Sequence, residues 1–211
     1  EEIDMIKVVI FDFDDTLYSD TNPLPWKNFC IKTVEYFLKK LKVEDSENIL
    51  NIVKNSGFSD RQLIKFIVSL GAKEKDVKDY MKSHNIEGNA FENCKKVSNT
   101  TLRDFQQYFV MYIVSNSLET SVQDNMELLK IDSSFFKDII SNKENSKKGE
   151  YENIIKREGI LPNELLVIGN SYSSDILPAL EIGANGKVVT SADFLFEDFF
   201  DDKGELISNI Q

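Results

Sequence analysis

The chain has 211 residues and a formal net charge of −11, with acidic residues spread along its whole length. This balance excludes a nucleic-acid partner, because gripping a phosphate backbone takes a Lys/Arg-rich face. With 41% hydrophobic residues the chain can bury an ordinary core, yet no apolar run approaches the ~18 residues of a membrane span, so no membrane partner is expected. The opening residues, Glu1 to Lys7, lack the basic and apolar stretches of a signal peptide, and Met5 is a candidate natural start. Cys30 and Cys94 are far apart and show no metal-ligand spacing. They read as free thiols, which suits a soluble protein of the reducing cytoplasm.

In chain order, the first apolar run is Val8-Val9-Ile10-Phe11, which leads straight into Asp12-Phe13-Asp14-Asp15-Thr16-Leu17. In extended chain, residues two apart share a face, so Asp12 and Asp14 point the same way. Two carboxylates side by side repel unless a cation or a shared proton relieves them. From about residue 20 to 98 no strand-like run occurs. Apolar residues at helical spacing (Phe29, Val34, Phe37, Leu38, Leu41, then Leu63, Phe66, Ile67, Leu70) predict an all-helical insertion of about four helices, with Gly57 and Gly71 at helix ends.

A second strand is expected at Phe109–Val114, and Ser115-Asn116-Ser117 follows it. A hydroxyl, an amide and exposed backbone N–H groups can hold phosphate oxygens without adding negative charge. A helix over 119–130, a weaker strand at Asp138–Ile140 and a helix over 149–158 come next, the last beginning at Lys147-Lys148-Gly149-Glu150. A buried strand at Leu165–Ile168 then empties into Gly169-Asn170-Ser171-Tyr172-Ser173-Ser174-Asp175, ahead of a helix over 174–182. Lys187–Thr190 is the final expected strand, and the aromatic run Phe194–Phe200 is expected to pack on the core.

Short β-branched strands alternating with helices predict an α/β fold with a doubly wound, mainly parallel sheet. The expected division is residues 1–19 and 99–211 as the core, with 20–98 as the insert. In such a sheet ligands bind beyond the carboxyl ends of the strands, and all four polar clusters fall at or just past such ends.

With these motifs in order, the chain resembles the haloacid dehalogenase-like hydrolase superfamily. The resemblance rests on Asp12-x-Asp14-x-Thr16, Ser115 after a strand, a distal lysine, and the acidic loop at 169–175. It implies a Rossmann-like core with an all-helical cap inserted after the first strand, and a Mg²⁺-dependent phosphatase acting on a small phosphorylated metabolite. By the same resemblance Asp12 is the nucleophile and Asp14 the general acid/base. Ser115, Asn116 and a lysine hold the phosphoryl group, while Asp12, Asp14 (through its backbone carbonyl) and Asp175 bind Mg²⁺. Lys148 is favoured over its neighbour Lys147, because Lys148-Gly149-Glu150-Tyr151 is closer to the family's lysine-to-helix junction. Asn170 stands where the family usually has an acid, which leaves it as a ligand through its carbonyl or as an organiser of a metal-bound water.

Other functions on the same core are a sugar phosphomutase, a dehalogenase, and a non-catalytic phosphate-binding or regulatory module. A dehalogenase needs no second acid, so Asp14 argues against it. Only Asn170 hints at a module without activity. A mutase would recruit cap groups such as His84, the sole histidine. Oligomeric state has no signature in the sequence.

Overall fold

The computed structural model describes residues 5–19, 24–84, 94–144 and 146–207. In chain order these form β1 (Val8–Phe11), β2 (Tyr18–Ser19), α1 (Leu24–Leu41), α2 (Ser46–Asn55), α3 (Asp60–Ser69), α4 (Glu74–Ser83) and β3 (Lys95–Lys96). Then follow α5 (Asn99–Tyr108), β4 (Val110–Ser115), α6 (Glu119–Leu129), β5 (Asp138–Ser141), α7 (Lys148–Glu158), β6 (Leu165–Gly169), α8 (Leu177–Leu180) and β7 (Asn185–Val188). Five strands make one parallel sheet in the order β5-β4-β1-β6-β7. The fold is α/β and Rossmann-like, as the run pattern predicts.

Every residue of β1 is buried, as expected of a strand covered on both faces. Val8 and Ile10 pack with Tyr112, Val167 and, from α7 and α8, Tyr151, Ile154 and Ala179. Phe11 faces the other way and meets Phe105 of α5 edge-to-face at 5.3 Å, and Phe194 stacks on it at 6.2 Å. The aromatic run near the C-terminus closes this side, with Phe199 and Phe200 both buried against Phe105. Core packing of that run is the observed arrangement.

The chain divides into two compact units, Glu1–Asp20 with Cys94–Gln211, and Thr21–Asn93. The second boundary lies five residues earlier than the expected 98/99, because β2 and β3 pair antiparallel, Tyr18 opposite Lys96, and both belong to the core unit. Within the other unit α1 to α4 bury Val34, Phe37, Leu38, Val53, Leu63, Ile67 and Val77. A reciprocal cap between Ser59 and Gln62 starts α3. His84 closes α4, its ring stacked on Tyr80 at 4.0 Å, a packing role.

One expected boundary needs correction and one helix was not foreseen. The last strand runs from Asn185 to Val188, two residues before the β-branched run at Lys187–Thr190. Asn185 anchors its start by donating to the Asn163 and Leu165 carbonyls, and Gly186 is needed beside Ile176, whose Cγ2 lies 2.6 Å from where a Cβ would stand. Helix α5 was not anticipated. Its sequence is mostly polar, and Thr101, Leu102 and Phe105 are its buried residues.

Helix α6 ends with Lys130 in the left-handed region (φ 56°, ψ 39°), while the Ile131 N–H closes the turn on the Met126 carbonyl. A side chain here carries a steric cost that glycine avoids. Lys130→Gly is expected to raise unfolding free energy by about 0.5–1 kcal/mol, read as a higher urea midpoint at unchanged slope.

Candidate active site

The backbone N–H of Asp12 still donates to the Ile168 carbonyl (2.9 Å), so Asp12 is held in register at the carboxyl end of β1. The chain then turns sharply. Leu17 N–H closes on the Phe13 carbonyl at 3.0 Å and Asp15 adopts φ 58°. This turn lets Thr16 donate its hydroxyl to Asp12 Oδ2 at 3.2 Å.

Asp12 Oδ1 accepts from Lys147 Nζ at 2.6 Å, and the same ammonium donates to Asp175 Oδ1 at 2.7 Å. All three groups are buried. Asp175 sits in a wide π-type turn, Tyr172–Ile176. Its Oδ2 accepts from the Ser171 N–H at 2.9 Å, and its carbonyl accepts from the Tyr151 hydroxyl at 3.3 Å. Gly169 makes room for this carboxylate: a Cβ there would lie 2.5 Å from Asp175 Oδ2.

The lysine beside the acids is Lys147 and not the favoured Lys148. Lys147 is the residue just before α7, with its side chain 1% exposed. Lys148, one position on, is 42% exposed and lies 3.8 Å from Glu181. A step of one residue at the helix start swings the side chain about 100° around the axis, from sheet to solvent.

Asp14 is held elsewhere. Its Oδ1 accepts from the Tyr18 hydroxyl at 2.8 Å, and its Oδ2 accepts from Ser117 Oγ at 2.7 Å and Ser115 Oγ at 3.4 Å. The buried Ser115 hydroxyl also accepts from the Ser117 N–H. Asn116 Oδ1 accepts from Nδ2 of the buried Asn142 at 2.9 Å. Asn170 is exposed at the end of β6, and among the described residues no hydrogen bond ties it to Asp12 or Asp175. Tyr18 and Asn142 were not singled out from sequence, and Ser117 entered only as part of the Ser115–Ser117 cluster, without its partner Asp14. Asp14 lies 103 residues from Ser117 and Asn116 lies 26 from Asn142, beyond the reach of local spacing, whereas Tyr18 meets Asp14 only four residues away, through the turn after β1.

The electrostatics follow from burial. Asp12 is pushed up to about 6, first by desolvation and then by the charges of Asp175 and Asp14, against the lowering pull of Lys147. Burial alone would strip the Lys147 proton, yet Asp12 and Asp175 raise its ammonium above the ordinary range. Tyr18 is driven well above 10 by burial and by Asp14, so its hydroxyl stays a donor. One lysine cannot neutralise three acids, and the pocket is short of positive charge.

That shortage is the test of the expected Mg²⁺. Among the described residues no three His, Cys, Asp or Glu side chains gather as metal ligands, because the Asp14 carboxylate is turned to Tyr18 and Ser117. The expected set of Asp12, Asp14 and Asp175 is thus not assembled through side chains. Two converging carboxylates in a negative field nonetheless fit a hard cation that keeps several waters and takes its remaining oxygens from a bound phosphate. Asp12, Asp175 and the Asp14 carbonyl are the groups that would hold it.

Two outcomes follow. Gly169→Ala is expected to expel the Asp175 carboxylate and lower stability by about 1–3 kcal/mol, measured by urea unfolding. Because the raised Asp12 holds its proton more tightly in the folded chain, its contribution to stability is present in acid and lost as pH rises through about 6. Without divalent ions, Asp12→Asn should therefore match the wild type near about pH 4 and exceed it by about 2–3 kcal/mol near about pH 8. Equal stability of the two proteins at both pH values would contradict this.

The model of the haloacid dehalogenase-like hydrolase family matches residues 9–189. Among solved structures, a HAD phosphatase from Thermococcus onnurineus is similar at TM-score 0.58 and 18% identity, covering 97% of this chain and 91% of that one. A haloacid dehalogenase-like family hydrolase from Xanthomonas campestris gives 0.55 and 17%, covering 90% and 85%. A 2-haloacid dehalogenase from Pseudomonas syringae gives 0.53 and 14%, covering 87% and 86%. At these identities the likeness speaks for the fold alone. No curated protein matches the chain. With a family model spanning most of its length and a parallel sheet whose strand ends gather Asp12, Lys147 and Asp175, the chain belongs to the haloacid dehalogenase-like hydrolases.

Proposed function

We propose that this hydrolase is a Mg²⁺-dependent phosphatase of a small phosphorylated metabolite, working through an aspartyl-phosphate on Asp12. One observation carries the reading: a buried Asp12 whose carboxylate shares the Lys147 ammonium with Asp175, at the carboxyl ends of β1 and β6. A second acid two residues on, Asp14, favours phosphoryl transfer over carbon–halogen displacement, in which no leaving oxygen awaits a proton.

In the proposed reaction an Asp12 carboxylate oxygen attacks phosphorus. The P–O bond to the leaving group breaks, and Asp14 gives the departing oxygen its proton. A water then attacks the acyl-phosphate, Asp14 takes a proton from it, and Asp12 is restored with release of inorganic phosphate. Lys147 keeps Asp12 aligned and offsets part of the charge as anion meets anion. Mg²⁺, when bound by Asp12, Asp175 and the Asp14 carbonyl, would supply the remaining positive charge that lets a carboxylate approach a phosphate. Ser115 and Asn116 would hold phosphoryl oxygens. With Asn116 Oδ1 occupied by Asn142, the Nδ2 end is left to donate.

We take the helical unit, Thr21–Asn93, as a cap that excludes water from a small substrate. A cytoplasmic location is proposed on Cys30, a buried thiol pushed up to about 12. No helix among the described residues is long and apolar enough to cross a membrane. The test is release of inorganic phosphate from a panel of phosphorylated metabolites. Wild-type protein should turn over with Mg²⁺ and stop with chelator, and Asp12→Asn should lose at least about 10³-fold in kcat. Substantial turnover by purified Asp12→Asn would overturn the assignment.

A further inference from the structure

Besides the longer contact from Ser115, two hydroxyls engage the oxygens of Asp14 closely, one on each, and they come from different parts of the core. Tyr18 belongs to β2 and reaches Oδ1 at 2.8 Å. Ser117 lies in the loop after β4, 103 residues from Asp14 in sequence, and reaches Oδ2 at 2.7 Å. An aspartate side chain has only two torsions, so donors on its two oxygens fix both. The two donors differ in freedom. The Tyr18 ring is buried and packed on Phe13 at 5.1 Å, so its hydroxyl is placed by packing. Ser117 is half-buried, and its hydroxyl turns about one bond.

We propose that Tyr18 and Ser117 are positioning residues for the reaction, holding the Asp14 carboxylate where it can reach the leaving oxygen of a phosphate on Asp12. This rests on the reading of Asp14 as general acid/base. Tyr18 keeps Oδ1 throughout. As the P–O bond breaks, the acid's proton passes from Oδ2 to the leaving oxygen, and the Ser117 hydroxyl, which turns about one bond, donates to the carboxylate oxygen left behind. The tyrosine therefore fixes the geometry and the serine accommodates the change of protonation, which makes loss of the tyrosine hydroxyl the more damaging of the two.

Leaving-group dependence tests this, because an acid matters most where the departing oxygen is basic. The probes are p-nitrophenyl, phenyl and benzyl phosphate, which share a ring and differ steeply in leaving-group basicity. The readout is kcat/KM, which reports steps up to departure of the alcohol. Tyr18→Phe should lower kcat/KM for benzyl phosphate by about tenfold or more and for p-nitrophenyl phosphate by less than about threefold. Ser117→Ala should act in the same sense and more weakly, and it carries the test if Tyr18→Phe does not fold. Both effects should vanish in an Asp14→Asn background. An equal fall on all three substrates, or an unchanged ratio between them, would overturn the positioning role. If Asp14→Asn itself leaves the ratio at the wild-type value, the acid/base reading fails. If Asp14→Asn collapses the ratio and Tyr18→Phe does not, that reading stands and only the role of Tyr18 falls.

Discussion

The site depends on one ammonium shared by two buried carboxylates. Lys147 Nζ lies within 2.7 Å of oxygens on both Asp12 and Asp175, and none of the three side chains has appreciable access to water. A buried charge without a partner is strongly unfavourable, so the Lys147 ammonium is tolerated only because two carboxylates face it, while burial and the neighbouring acids still leave Asp12 raised. The bridge also fixes backbone. It ties the carboxyl ends of β1 and β6 to the residue that starts α7, three elements distant in sequence and gathered only by the sheet order. The same economy leaves the cluster one positive charge short, and a phosphatase can use that deficit to take up a divalent ion.

Sequence and backbone cooperate closely around Asp175. Gly169 removes the side chain that would otherwise occupy its carboxylate's place. The π-type turn that follows accommodates one more residue than an α-helical turn and brings Asp175 back beside Gly169 at the end of β6, with its backbone N–H on the Ser171 carbonyl at 2.9 Å. Wide turns of this kind are rare and occur often at functional positions. Asn170 contrasts with this. It sits between these two constrained positions but faces solvent, so loss of an acid there leaves the Asp12–Lys147–Asp175 bridge intact.

What could be read from sequence, and what could not, divides along the range of the forces involved. The first four strands of the main sheet and the acidic turn after β1 were legible because they are local: an apolar run long enough for a strand, then carboxylates at a spacing of two. The last strand was read two residues late because its start, Asn185-Gly186, is not apolar. The choice between Lys147 and Lys148 was not legible. It turns on where the helix begins, and a shift of one position carries a lysine from the core to the surface. Helix α5 escaped because its few buried residues make too faint a period among polar neighbours, and it is held by aromatic residues from the far end of the chain. The contact of Asp14 with Ser117 escaped for a similar reason, since Ser117 becomes its neighbour only once β1 and β4 have paired. Tyr18, four residues on, was hidden instead by the turn that folds it back.

The short ribbon of Tyr18–Ser19 against Lys95–Lys96 has a consequence for how this protein can vary. The chain leaves the core and returns to it at paired positions, so whatever lies between is a detour whose two feet stand together. Such a detour can be lengthened, shortened or exchanged at modest entropic cost, since loop closure grows only slowly with length and the feet are already joined. Asp12, Asp14 and Asp175 are anchored on the sheet side of that joint. Change can therefore accumulate in the detour while the buried bridge of Asp12, Lys147 and Asp175 stays where it is.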